Sequence, residues 1–279
     1  MSSIASPSAA DVESAVVTTA AGVSVEVYDQ GAGAAVVLLP SLGRGAADFD
    51  VVARLLAADG FRVLRPEPRG VGASTGPIQG LTMHDLAQDV ALALDHLGIS
   101  DAIVVGHAFG SQPARMLAEL RPDLVRALVL AAASAGKVPV GSKEQPYKRL
   151  RQEIDRSGDR RFSEEERIRC LTAAFFAPGH DPRVWLDGWS QPAHEAQAHA
   201  REATPVDAYF EAGGKPILDL QAEFDAVVIP NIYRPMLGER VTVQTIENAG
   251  HALLPEQPEA FARAVADYAR ALPSQDTRR

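Results

Sequence analysis

The 279-residue sequence holds a single cysteine, Cys170, which rules out an intrachain disulfide and suits a reducing compartment. That cysteine lies in Ile168-Arg169-Cys170-Leu171, an apolar helical stretch, so its expected role is packing rather than nucleophilic chemistry. Basic charge is also in short supply. With 27 Lys and Arg against 36 Asp and Glu, the net charge is −9 and no basic stripe is present, which speaks against a nucleic-acid partner. No run approaches the roughly 18 apolar residues of a membrane span, so no membrane role is expected. Residues 1–10 lack both the basic start and the apolar stretch of a signal peptide; they read as a disordered tail, and a cytoplasmic location is the default expectation. The polar end, Ser274–Arg279, is expected to fray. Histidines are few and show no metal-ligand spacing: His194 and His199 stand five residues apart, poorly placed for one helix face. Neither a metal nor another cofactor is expected.

What the chain does contain is an ordered alternation of strands and helices. Two strands come first, around Ser14–Thr19 and Val23–Tyr28. Short all-apolar runs then follow at Ala35–Leu39, Phe61–Leu64, Ala102–Val105 and Ala127–Ala131, the pattern of strands covered on both faces. Helices are expected between them: Phe49–Ala58, stopped by Gly60; a helix capped by Thr82 and Asp85, with Leu86, Val90, Leu94 and Leu97 on one face; and Ser111–Leu120. Strands Pro216–Leu220 and Val241–Ile246 and a final helix bearing Phe261, Val265, Tyr268 and Leu272 complete an α/β pattern. The expectation is a mostly parallel, eight-stranded sheet with helices on both faces. Residues 136–214 break the rhythm. They are helical in propensity, rich in charge and without a convincing strand, so they read as an inserted helical cap. The core is then 11–135 with 215–273. Trp185 and Trp189 are aromatics that such a cap could turn toward a ligand.

Gly106-His107-Ala108-Phe109-Gly110 follows the strand run Ile103-Val104-Val105 and opens a helix. Strand, Gly-x-x-x-Gly turn and helix form the setting of a nucleophile elbow, in which the middle side chain stands over the sheet edge. Here that residue is Ala108, whose methyl group cannot attack. A serine in such a place needs an imidazole to take its proton and a carboxylate to hold the imidazole's tautomer. His251 and Asp225 are the candidates for those two parts. Ser41 and Ser111 are weaker alternative nucleophiles, since a turn or a helix start accounts for both hydroxyls.

The ordered motifs resemble the α/β-hydrolase family from about residue 20 to 272. Leu39-Pro40-Ser41-Leu42-Gly43 stands where the family has its His-Gly oxyanion loop, although Pro40 and Ser41 replace His and Gly. Arg65-Pro66-Glu67-Pro68-Arg69-Gly70-Val71-Gly72-Ala73-Ser74 resembles the Pro-Asp-x-Arg-Gly-x-Gly-x-Ser segment. Gly106-His107-Ala108-Phe109-Gly110 departs from Gly-His-Ser-x-Gly only at Ala108. Asp225 occupies the place of the acid, with Glu223 two residues before it, and Ala249-Gly250-His251 with Glu256-Gln257-Pro258 that of the histidine loop. The resemblance implies backbone oxyanion donors at Leu42 and Phe109, a structural role for His107 and Arg69, and a small-molecule substrate. Ser41 lies in the oxyanion loop and Arg44 beside it, and Arg44 is a candidate contact for an anionic group.

Three functions fit these residues. The first is an enzyme that uses a His251–Asp225 dyad without a serine, activating water or abstracting a proton in a lyase-type step. The resemblance allows for this, because the fold also hosts lyases and cofactor-free oxygenases, and Gly-His-Ala-Phe-Gly is expected in bacterial members. The second is a serine hydrolase of an ester or lactone in which alanine replaces the nucleophile. The third is a non-catalytic binding protein. Retention of His251 and Asp225 together weighs against the third. The substrate and the oligomeric state are left open.

Overall fold

The computed structural model describes residues 13–18, 22–138 and 146–273. The expected tail at 1–10 and the frayed end at 274–279 lie outside the described residues. In chain order the elements are β1 (Glu13–Thr18), β2 (Ser24–Gly31), β3 (Ala34–Leu39), α1 (Asp50–Ala58), β4 (Phe61–Pro66), α2 (Met83–His96), β5 (Ala102–His107), α3 (Ser111–Leu120) and β6 (Val125–Ala131). Then come α4 (Pro146–Arg149), α5 (Arg151–Ser157), α6 (Glu164–Ala174), α7 (Gln191–Ala203), β7 (Ile217–Ala222), α8 (Arg234–Leu237), β8 (Val241–Ile246), α9 (Leu253–Glu256) and α10 (Pro258–Ala271). The strands form one eight-stranded sheet in the order β1-β2-β4-β3-β5-β6-β7-β8. β1 and β2 pair antiparallel, as do β2 and β4, and every pair from β4 to β8 is parallel.

Period-two alternation sorts the central strands between two cores. Val37, Leu39, Val104, Leu128 and Leu130 face α2 and α3, meeting Met83, Leu94 and Leu117. Val36, Leu38, Ile103, Val105 and Val129 face the other way, against Val52 and Leu56 of α1 and Phe261 and Val265 of α10. Both faces are thus covered, which is why β5 and β7 are buried at every position. Local signals set the helix limits. Thr82 and Asp85 form a reciprocal capping box at the start of α2. Gly60, with φ +89°, turns the chain out of α1 into β4.

Between β6 and β7 the described residues form the four helices α4 to α7 and short 3₁₀ turns, with no strand among them. A third cluster, with Leu171, Phe175, Phe176 and Trp185, packs against Val227, Val228 and Ala252 from the loops after β7 and β8. No helix among the described residues is long and apolar enough to cross a membrane. The parallel strands all end on one edge of the sheet, and the loops that leave β3, β5, β7 and β8 there bring Leu42, Ala108, Asp225 and His251 to the same side.

Candidate active site

The turn after β5 depends on its glycines. A Cβ on Gly106 would sit 2.5 Å from the Gly110 backbone, and one on Gly110 would sit 2.6 Å from the Pro40 carbonyl oxygen. Their absence lets the chain reverse within three residues, and Ala108 takes φ +48°, the left-handed region that an L-residue enters at a cost. The elbow geometry is therefore present with a methyl group at its tip. His107, fully buried, donates from Nε2 to the His251 carbonyl at 2.8 Å, which ties the elbow to the histidine loop. Burial and the neighbouring His251 push His107 down to about 3, so it stays neutral. Its role is structural.

His251 Nδ1 lies 2.9 Å from Asp225 Oδ2 and 3.2 Å from Oδ1. Asp225 Oδ1 also accepts from the N–H groups of Val227 at 2.8 Å and Val228 at 3.2 Å. Burial alone would raise this carboxyl. Instead its attraction to His251, together with these hydrogen bonds, holds it below the usual aspartate value. With Nδ1–H engaged by the carboxylate, the Nε2 lone pair is left as the basic site, and no hydrogen bond occupies it among the described residues. Glu223 has a different task. Its Oε2 accepts from the Asn248 N–H at 2.8 Å, bracing the aspartate loop against the histidine loop.

Glu256 fixes the histidine loop from below, a role that the sequence motif alone did not disclose. Its two oxygens accept from the N–H groups of Gly250 at 2.7 Å and Ala177 at 2.6 Å, so one buried carboxylate joins the loop to the segment between β6 and β7. The Ala252 N–H donates to the Phe175 carbonyl at 2.8 Å and adds a second tie. The loop after β3 is held in the same way: the Gly43 N–H donates to Gln197 Oε1 at 2.7 Å, and the Gly43 carbonyl accepts from the Ser190 N–H at 2.8 Å.

Above Ala108 lies a cavity of about 360 Å³, within the size range of small-ligand sites. Leu42, Ala108, Phe109, Phe175, Val227 and His251 form its apolar end. Polar side chains that the sequence reading did not single out, Gln112, Arg201 and Tyr209 among them, line it as well. They carried no motif that could have drawn attention to them.

Four expected contacts are not on this wall. Ser41 is buried, and its carbonyl accepts from the Arg44 N–H in a tight turn. Arg44 is also buried, paired with Asp48 and bonded to the Asp187 carbonyl at 2.6 Å. Its guanidinium lies 4.8 and 4.7 Å from the ring centroids of Trp185 and Trp189. With its charge met by Asp48 and its faces by the two indoles, it braces the fold and does not line the cavity. Trp185 stacks behind the site, its ring 6.0 Å from His107 and 5.7 Å from Phe175, and Trp189 donates to the Trp185 carbonyl at 2.6 Å. Phe175, from the same segment as the two tryptophans, does face the cavity, with its ring 5.4 Å from that of His251. Arg69 is structural as expected, in a two-pronged pair with Asp89 at 2.7 Å. Cys170 and Ser111 are buried away from the cavity.

The sequence profile of the α/β hydrolase fold family matches residues 34–258. The chain belongs to the α/β hydrolase fold family. Within it, the chain is 29% identical over 254 residues to a protein assigned as carbamate hydrolase RutD of Variovorax paradoxus (strain S110), covering 87% of this chain and 94% of that protein. An epoxide hydrolase of Caballeronia sordidicola is 33% identical over 110 residues, 38% of this chain and a third (33%) of its own length. Among solved structures, an esterase from Exiguobacterium antarcticum superposes with a TM-score of 0.74 over 92% of this chain and 99% of its own, at 19% identity. That likeness is one of fold. This α/β hydrolase fold member is accordingly an enzyme of a superfamily whose relatives are named as hydrolases.

Proposed function

We propose that the protein acts on a small organic substrate through His251 and Asp225, without a serine nucleophile. The observation that carries this reading is the buried His251–Asp225 pair, 2.9 Å apart, with the imidazole edge on the cavity wall beside Ala108. In the hydrolytic form of the reaction, Nε2 takes a proton from water while the hydroxide adds to a substrate carbonyl. The backbone N–H groups of Leu42 and Phe109 receive the negative oxygen, and the imidazolium then returns its proton to the leaving group. The same base could instead remove a proton from the substrate in an elimination. The helices between β6 and β7 serve as a cap that closes the site from above, and the relatives' names favour hydrolysis.

The test is turnover of a panel of activated esters, lactones and carbamates by the parent and by His251→Ala, with folding checked by circular dichroism. The expected loss is about a thousandfold, the general-base contribution together with its oriented geometry. A folded His251→Ala protein with parental turnover would falsify the assignment.

A second reading is favoured by the elbow itself. Its crowded glycines and the positive φ at Ala108 are the geometry that a nucleophilic serine needs, so alanine stands here in a serine's place.

A further inference from the structure

The polar end of the cavity is built differently from the end that holds His251. Arg151 and Arg201 bring positive charge to its wall, Asp155 and Glu202 negative. Both carboxylates are directed at Arg151, Asp155 at 3.3 Å and Glu202 at 3.8 Å, and Asp155 also faces His194 at 3.5 Å. Arg201 has no carboxylate and no hydrogen-bond acceptor among the described residues; its one close neighbour of note is the Tyr147 ring, 6.0 Å from the guanidinium. Gln112 spends its Oε1 on the Tyr209 hydroxyl at 3.2 Å, leaving its amide donors on the same wall.

One layer behind stands Arg115, a fully buried arginine with no carboxylate in ion-pair range among the described residues. Its guanidinium donates to the carbonyls of Ser111, Ala135 and Ser134, each at 3.3 Å, and lies 4.9 Å from the Tyr209 ring centroid and 5.5 Å from that of Tyr233. Arginine does not give up its proton in a protein, so this is a permanent buried cation held, among the described residues, by dipoles and ring faces. Ser134 and Tyr209, which it touches, are themselves cavity wall. Burial raises the Tyr209 phenol while Arg115 and Arg201 oppose that rise, which puts both cations within electrostatic reach of one cavity residue.

We propose that Arg201 and the Gln112 amide form an anion subsite backed by the Arg115 charge, and that the substrate carries a carboxylate which this subsite holds while its reacting carbon lies toward His251. The proposal rests on the cavity assigned above as the active site and names the substrate's charge. A cavity end where three guanidiniums, Arg115, Arg151 and Arg201, stand against two carboxylates favours an anion over its neutral isostere, and a guanidinium suits a carboxylate geometrically.

The experiment compares hexanoate with hexanamide, matched in shape and different in charge, by isothermal titration calorimetry. The parent is expected to bind hexanoate about tenfold more tightly than hexanamide, the effect of one moderately screened charge pair. Arg201→Gln should abolish that preference and leave hexanamide binding within about twofold, while Arg201→Lys keeps part of it. Equal binding of the two probes by the parent, no binding of hexanoate at tens of millimolar, or an unchanged preference in Arg201→Gln each overturns the proposal. Arg201 is half-buried on a helix surface, so these variants leave the core intact. Binding is read without turnover. A His251→Ala protein that keeps the preference therefore upholds the subsite whatever becomes of the catalytic reading.

Discussion

Ala108 holds φ +48° at a site where a left-handed conformation costs about 1–3 kcal/mol, and its methyl group gains no hydrogen bond in return. Such strain persists only where the surroundings impose it, and here Gly106, Gly110 and the His107 bond to the His251 carbonyl do so. A serine at this position would inherit the same backbone and place its hydroxyl on the cavity side, toward the free Nε2 of His251. Ala108→Ser is therefore expected to fold with little change in stability and to hydrolyse p-nitrophenyl acetate at least about tenfold faster than the parent. A folded variant no faster than the parent ends the view that alanine stands in a serine's place. Residue identity was a good guide to this part of the molecule. His251, Asp225 and the elbow are marked by short-range patterns, because loop chemistry next to glycine is fixed by neighbours in sequence. Arg44, Trp185 and Trp189 were weaker candidates and turned elsewhere. What decided their orientation was Asp48, a carbonyl from a distant segment and one another, and no local pattern records such partners.

The loops at the sheet edge are only as well placed as the elements that carry them. β5 enters the elbow flanked by β3 and β6, and Gly110 passes against the loop that leaves β3. Gly110→Ala would drive a methyl group to 2.6 Å from the Pro40 carbonyl oxygen, with backbone on both sides of the clash. The expected cost is roughly 3 kcal/mol, the upper end for overpacking, measured as a lower urea midpoint; a loss below about 1 kcal/mol shows that the loop after β3 yields freely. α2 offers a milder perturbation at a residue that does not itself line the cavity. Thr82→Ala removes the oxygen that accepts the Asp85 N–H at 3.3 Å and breaks the capping box. About 1 kcal/mol should be lost with no effect on ligand binding. These elements were legible in advance, since apolar runs and capping residues repeat at the period of the structure they form; the ends of several strands differ by one to three residues, where pairing with a neighbour extends them.

Seen whole, the protein keeps a carboxylic acid in its interior beside the elbow's neighbouring loop. Glu67 is buried with Oε2 accepting the Ala46 N–H at 2.9 Å. Burial, with Glu26 and Asp48 adding repulsion, pushes its carboxyl up from 4.5 to about 7, against the opposing pull of the Ala46 N–H and Arg65. The folded protein thus holds this proton more tightly than the unfolded chain does. Its contribution is complete below about pH 4.5 and is lost as pH rises toward 7, a change of about 3 kcal/mol at most. Glu67→Gln keeps an acceptor for Ala46 and cannot ionise. Urea melts should show the variant more stable than the parent at about pH 8, with the gap closing as the solution is acidified to about pH 4.5. A difference that does not vary with pH excludes Glu67 as the source. Nothing of this could be read from the segment Arg65-Pro66-Glu67, because burial is a property of the assembled fold.

Every alanine codon becomes a serine codon by a change of its first base. Because the strained turn at position 108 is upheld by its neighbours and not by the side chain it presents, the gene stands a single point mutation from a complete Ser-His-Asp arrangement. Among descendants of this sequence, chemistry that proceeds through a covalent intermediate is thus separated from chemistry that does not by a mutational step rather than by a refolding of the site.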